Sequence, residues 1–130
     1  MDVVGDFLTV LRNASSAKKA SCVVQWSRLR EGIAVILKNC GYIKDFSKSQ
    51  TDDGARTFLT ISLKYVNGVS AITEIGRIGK PGCRRYASIA EIPSILGGIG
   101  DCILSTSKGI MSGKDAKRSG VGGELMCYIW

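Results

Sequence analysis

The sequence predicts an α+β protein built as two small lobes. Three observations carry that expectation. Apolar residues recur at helical spacing near the N-terminus and again after Ser27, whereas residues 57–65 and 125–130 alternate at the two-residue period of strands. The strong turn dipeptide Asn67-Gly68 sits at the middle of the chain. The second half is then punctuated by glycine, Pro81 and Pro93 into short segments. At 130 residues the chain fits one domain or two very small ones. The expected division is an N-terminal α/β lobe over residues 1–68 and a mainly antiparallel β lobe with short helices over 69–130, with the boundary in the 66–78 region.

In order along the chain, Val4, Phe7, Leu8 and Leu11 share one helical face, with Asp2 placed as its N-cap. A second helix is predicted from Ser27, burying Leu29, Ile33, Ile36, Leu37 and Cys40 and ending at Gly41. Tyr42 to Ser47 reads as a strand, Ser49 to Ala55 as a polar loop, and Thr57 to Tyr65 as a half-buried strand. After the hairpin turn, a strand-like stretch covers Val69 to Ile78. Lys80-Pro81-Gly82-Cys83 fits a type II turn with Gly82 at positive φ. Arg84 to Ala87 is a short strand, Glu91 to Leu96 a helical turn, and Cys102 to Thr106 another strand. Ser112-Gly113-Lys114-Asp115 has capping-box form, with a short helix closing on Gly120. In the last strand Leu125, Cys127 and Ile129 alternate with Met126, Tyr128 and Trp130.

Charge narrows the function. Eighteen Lys and Arg against eleven Asp and Glu give +7, which points to nucleic acid first and to an anionic membrane surface second. The ends are basic and residues 51–74 nearly neutral, a pattern of two basic lobes rather than a basic tail. Histidine is absent, which removes the usual general base and the commonest metal ligand. The five cysteines, Cys22, Cys40, Cys83, Cys102 and Cys127, lack C-x-x-C spacing and read as reduced core thiols. No cofactor or metal is expected. Without a basic n-region or a long apolar run, the chain reads as soluble and intracellular.

Three catalytic patterns almost match. Gly98-Ile99-Gly100 begins a G-x-G-x-x-G, but position 103 is Ile and no βαβ unit surrounds it. Residues 109–115 approximate a phosphate loop, one residue short and ending in Asp115 where a hydroxyl must hold magnesium. Ser105-Thr106-Ser107-Lys108 is S-x-x-K, without the S-D-N and K-T-G partners of an acyl-enzyme.

The same stretch reads better as a binding surface. Three consecutive hydroxyls at a strand end, then Lys108 and Gly109, can meet phosphates, sugar 2′-OH groups and base edges. Gly122 and Gly123 permit close backbone approach, and Glu124 can accept from a base amino group or act as an edge-strand gatekeeper. Arg84 and Tyr86 share a strand face, a phosphate charge beside a stacking platform; the alternative is a core tyrosine with solvated arginines. Arg12 and Asn13, with Ser15, Ser16, Lys18 and Lys19, end the first helix, where cations also have a purely structural role.

These residues carry a resemblance. Ser105-Thr-Ser-Lys-Gly-Ile-Met111 with Gly122-Gly-Glu-Leu-Met-Cys-Tyr-Ile-Trp130 closely resembles the C-terminal half of the bacterial small-subunit ribosomal protein S-eight family. Asp6-Phe-Leu-Thr-Val-Leu-Arg-Asn13, Leu63-Lys-Tyr65, Arg77-Ile-Gly-Lys-Pro-Gly82, Glu91-Ile-Pro93 and Gly97-Gly-Ile-Gly100 fit it in order, over essentially the whole chain. The resemblance implies a non-enzymatic, primary ribosomal RNA-binding protein of the cytoplasmic small subunit, binding a looped stem in the central domain of small-subunit rRNA and supporting assembly. It implies neighbouring small-subunit proteins as partners, no membrane, and, as in some members, repression of the protein's own operon mRNA. It places the main RNA contacts on Ser105, Thr106, Ser107 and Lys108, with Tyr86 and Gly122-Gly123-Glu124 beside them and Arg12 and Asn13 on the first helix. Three positions depart from the family's pattern. Val10 stands where a basic residue is common, Gly79 where Ser is usual, and Asp101 where an apolar residue precedes the hydroxyl strand.

Overall fold

The computed structural model describes residues 2–130. Helix α1 (Val3–Ser16) buries the predicted Val4, Phe7, Leu8 and Leu11, together with Ala14 and Ser15. Asp2 occupies the N-cap position with extended backbone, but its side chain makes no cap bond. Its carboxylate instead pairs with Arg77 Nε at 3.3 Å. A half-buried guanidinium is the stronger partner, because both groups are charged. Strand β1 (Ser21–Gln25), which the sequence did not announce, follows as a sheet edge.

Helix α2 (Arg28–Asn39) starts as predicted, with Ser27 Oγ accepting from Arg30 N at 3.1 Å, and Gly41 closes it at φ +84°. Ile33, Ile36 and Leu37 are buried, whereas Leu29 is only half-buried and Cys40, at the C-cap, is exposed. Strands β2 (Ile43–Gln50) and β3 (Thr57–Leu63) form a hairpin, giving an antiparallel sheet of order β1-β3-β2. The loop between them is shorter than expected because β2 runs on to Gln50. Leu59, Ile61 and Leu63 all point into the core, as their alternation requires.

Strands β4 (Tyr65–Val66) and β5 (Val69–Ser70) flank the predicted turn. Asn67 and Gly68 both take positive φ, +53° and +79°, as a type I′ turn demands. The strand expected to continue to Ile78 breaks here. Thr73 N and Glu74 N both donate to Trp130 O, at 2.7 and 3.0 Å, and the chain restarts as β6 (Ile75–Arg77) in a second sheet.

That sheet adds β7 (Arg85–Ala87), β8 (Asp101–Thr106), β9 (Gly109–Ser112) and β10 (Gly123–Ile129), in order β6-β10-β8-β9, with β7 on the other end of β10. Lys80 and Cys83 exchange both backbone bonds, but Gly82 does not take positive φ; the left-handed residue is Gly79 at +72°. The turn is therefore not type II. The helical turn expected over 91–96 lies earlier, at Ile89–Glu91, where Ser88 Oγ donates to Glu91 Oε1 at 2.7 Å. Pro93 forces the residue before it, Ile92, into extended backbone and ends that turn. Helix α3 (Gly113–Ser119) has the predicted Ser112 cap, accepting from Asp115 N at 3.2 Å, and Gly120 at φ +71°. The reciprocal half of the capping box is replaced by an Asp115–Arg118 pair at 3.2 Å.

Two hydrophobic cores result. The larger joins α1, α2 and the first sheet to Ile75, Ile103, Met126, Cys127 and Ile129 of the second sheet. The smaller holds Ala87, Ile92, Cys102, Leu104, Ala116 and Leu125. Strand β10 serves both because its register against β8 shifts between Leu125 and Cys127. That bulge turns Leu125 to one core and both Met126 and Cys127 to the other, so Met126 is buried against the simple alternation. The cysteines divide similarly. Cys102 and Cys127 are buried, and burial pushes the Cys127 thiol up to about 12. Cys22 is half-buried, and Cys40 and Cys83 are exposed, so the five are not all core thiols. Both exposed ones sit at turns, where an apolar neighbour in sequence does not mean one in space.

Candidate nucleic-acid interface

Register places the predicted residues. Tyr86 on β7 lies opposite Glu124 on β10, Glu124 opposite Ser105 on β8, and Ser105 opposite Ile110 on β9. Directly paired residues share a sheet face, so these four form one row about 14 Å wide at the ordinary strand spacing. The rows on either side turn Leu104, Leu125 and Ala87 into the smaller core, which fixes which face the row occupies.

Along the row the chemistry changes stepwise. Tyr86 is 68% exposed and so is not a core residue. The Glu124 carboxylate is only 17% exposed and has Arg84 Nη1 at 3.7 Å. Arg84 thereby places positive charge at the row's edge beside that carboxylate. Ser105 opens onto a groove of about 600 Å³ walled by Leu29, Gly32, Val35 and Ile110. An aromatic face, a carboxylate acceptor, a hydroxyl and an apolar wall suit an unstacked base.

The neighbouring glycines are required by the sheet. A side chain at Gly123 would meet the Ser105 carbonyl carbon at 2.9 Å and Thr106 Cα at 3.1 Å, and one at Gly122 would meet Ser88 Cα at 2.9 Å. Their close approach is thus to β8 and to the chain leaving β7, and it is what draws Tyr86, Glu124 and Ser105 into line.

Ser107 and Lys108 form the two-residue corner of the β8–β9 hairpin, and both are exposed. Thr106 is committed locally: its hydroxyl donates to Gly109 O at 2.8 Å and accepts from Lys108 N at 3.0 Å. Lys108 Nζ reaches to 3.5 Å from Ser119 O at the end of α3. Ser105 looks toward α2 and Lys108 toward α3, so the lysine is not placed as a base for the Ser105 hydroxyl.

Arg12 and Asn13 do not join this group. Arg12 Nη2 donates to Ile75 O at 2.6 Å, and Ile75 pairs with Ile129 at the far end of β10. Five residue steps along the strand separate Ile129 from Glu124, about 17 Å. Asp101 is likewise apart from the row. Its carboxylate, 10% exposed, accepts from the Tyr42 hydroxyl at 3.0 Å and lies 3.5 Å from Lys114 Nζ. Burial and this bond push the Tyr42 hydroxyl above its ordinary value. The groove between Leu29 and Ile110 had no signal in the sequence, where Leu29 reads only as a core residue of α2 and neither β9 nor its packing on that helix is visible.

Comparison with known proteins covers the whole chain. The family model described as Ribosomal protein S8 matches residues 2–130. A relative from Cyanothece sp., named small ribosomal subunit protein uS8, is 48% identical over 131 residues, covering 99% of this chain and 97% of its own. Relatives of the same name from Opitutus terrae and Anaeromyxobacter dehalogenans are each 48% identical, covering 99% of this chain and 98% and 97% of theirs. A match from Asp2 to Trp130, at nearly half identity to such relatives, leaves one assignment: this chain belongs to the ribosomal protein S8 family.

Proposed function

We propose that the chain is a structural constituent of the small ribosomal subunit that binds a looped stem in the central domain of its rRNA and supports assembly. The family is a non-enzymatic one. The observation that carries the reading is the exposed Tyr86 aligned through Glu124 with Ser105, on a protein of charge +7. In this reading the 69–130 lobe recognises the RNA. Tyr86 stacks on an unpaired base, Glu124 and Ser105 accept and donate at its edges, and Ser107 reads the sugar or base beside it. Arg84 and Lys108 hold phosphates on either side of the row. Arg12 and Asn13 form an outlying backbone contact at the end of α1, with Arg12 also fastening that helix to β6. Binding of the operon mRNA would use the same row, provided the message presents the same loop. The setting is the cytoplasmic ribosome, and no described helix is long and apolar enough to cross a membrane.

The test is a binding series with the full-length protein, a looped rRNA stem and an uninterrupted duplex of equal length. Affinity for both falls steeply with salt, by roughly 0.7–0.9 logarithmic units per decade for each phosphate neutralised. The preference for the looped stem persists at every salt concentration, because stacking and base hydrogen bonds release no counterions. Equal affinity for the two RNAs would reject recognition and leave only a basic surface.

A further inference from the structure

Met126 is the joint of strand β10. On one side β10 pairs with β7 through residues 123–125 and with β6 through residues 127–129. On the other it pairs with β8 over the same residues, and the register shifts between Leu125 and Cys127. Met126 therefore pairs with none of the described strands. A bulge leaves its extra residue outside the ladder, and a buried carbonyl without a partner is costly. Here the Met126 carbonyl accepts twice, from Ile78 N at 3.0 Å and from Arg77 Nη1 at 2.7 Å.

Arg77 is itself tied down. Its Nη1 also donates to Ile78 O at 2.8 Å, and its Nε donates toward both Asp2 carboxylate oxygens at 3.3 Å. That carboxylate lies back over the first turn of α1, where a side chain at Gly5 would come within 2.9 Å of Asp2 Cγ. Only glycine leaves it the space. The Arg77 and Asp2 side chains are 17% and 28% exposed, so little water competes for these charge-assisted bonds. A cleft of about 270 Å³ has Asp2 and Arg77 on its wall together with Arg84, Ser105 and Glu124. The clasp on Met126 thus borders the row itself.

The offset at Met126 decides what faces what. Beyond it, Cys127 and Ile129 are fully buried in the larger core and fix that end of the strand. Before it, Glu124 lies opposite Ser105 on one side and Tyr86 on the other. Because side chains alternate along a strand, removing the extra residue would turn Glu124 to the other face, away from both. We infer that Arg77, braced by Asp2, is a positioning residue for RNA recognition. It holds the bulge at Met126, and with it the alignment of Glu124 with Ser105 and Tyr86. This role rests on the RNA reading of the row, and Arg77 acts through β10 without touching RNA.

The test compares full-length Arg77→Gln and Asp2→Asn with wild type, well below their melting temperatures. In the free protein, nuclear Overhauser contacts across the Glu124–Ser105 pair weaken in both variants, while those across Cys127–Ile103 persist. Affinity for the looped stem falls about tenfold in Arg77→Gln and about threefold in Asp2→Asn. Both bind the uninterrupted duplex within about twofold of wild type, with an unchanged salt slope. Arg77→Lys, which keeps a donor for the Met126 carbonyl, recovers most of the looped-stem affinity. Should Arg77→Gln fail to fold, Asp2→Asn decides on the same readouts, since it leaves the guanidinium in place. Unaltered Glu124–Ser105 contacts with full looped-stem preference overturn the proposal. Loss of contacts along the whole β8–β10 pair also overturns it, because Arg77 would then be a general support. Equal weakening on both RNAs, with the salt slope flattened by about 0.7–0.9, marks a phosphate contact and overturns it too. The free-protein contacts test positioning without RNA, whereas a wild-type protein with no preference for the looped stem counts against the RNA reading alone.

Discussion

Gly123→Ala is expected to lower stability by about 3 kcal/mol, the upper end for an overpacked core, and to abolish looped-stem binding with it. The added methyl has no side chain to push aside. It meets the Ser105 carbonyl carbon at 2.9 Å and Thr106 Cα at 3.1 Å, so strands β8 and β10 must separate. They would part at the pair next to Glu124 and Ser105, which opens the Tyr86–Glu124–Ser105 row as it weakens the sheet. For a chain of this length such a loss moves the melting temperature by roughly 10 °C, readable by circular dichroism. Gly54→Ala is the control. Its φ is +70° but nothing lies within 4 Å, so only backbone strain of about 1–2 kcal/mol is expected, with RNA binding unchanged. A Gly123→Ala protein as stable as wild type would contradict the strand spacing described here.

Tyr86→Ala carries the second large effect, and it falls on binding alone. Because the ring is 68% exposed, its removal leaves stability within about 0.5 kcal/mol. Losing one stacked base costs about 1–3 kcal/mol, which weakens the looped stem about 5- to 150-fold. An uninterrupted duplex has no unpaired base to stack, so its affinity changes little. Tyr86→Phe keeps the ring and is expected to keep the preference. Equal weakening on both RNAs would remove Tyr86 from loop recognition.

What the sequence made legible follows from how much local pattern each element carries. Leu59, Ile61 and Leu63 repeat often enough to fix β3 and its inward face, and Ser27 with Gly41 brackets α2 by cap chemistry. Strand β1 turns only Cys22 and Val24 inward, too few for a period, and β9 opens on Gly109, which reads as part of a turn. Met126 escaped because a bulge is a property of two strands in register, not of one. The same distinction governs the site. Ser105, Tyr86 and Glu124 were visible as chemistry, but only the pairing of β7, β10 and β8 aligns them. Gly122 and Gly123 read as places of close backbone approach, and the backbones that approach are those of β8 and of the chain leaving β7. In the sequence Arg12 is open to a backbone-gripping or a structural role, and only the fold shows that it holds a carbonyl of β6. Asp101 could be named but not oriented, since its partner Tyr42 lies 59 positions away.

The central claim is that the Tyr86–Glu124–Ser105 row is where RNA is read. Amide chemical-shift mapping of the full-length protein, titrated with the looped stem and then with the plain duplex, tests it most directly. The account predicts that the looped stem perturbs Tyr86, Glu124, Ser105 and Ser107, and that the duplex leaves Tyr86 and Ser105 unmoved while still shifting residues around Lys108. Perturbation concentrated instead on the outer face of the first sheet, at Val23, Thr60 and Ser47, with the row silent, would contradict it.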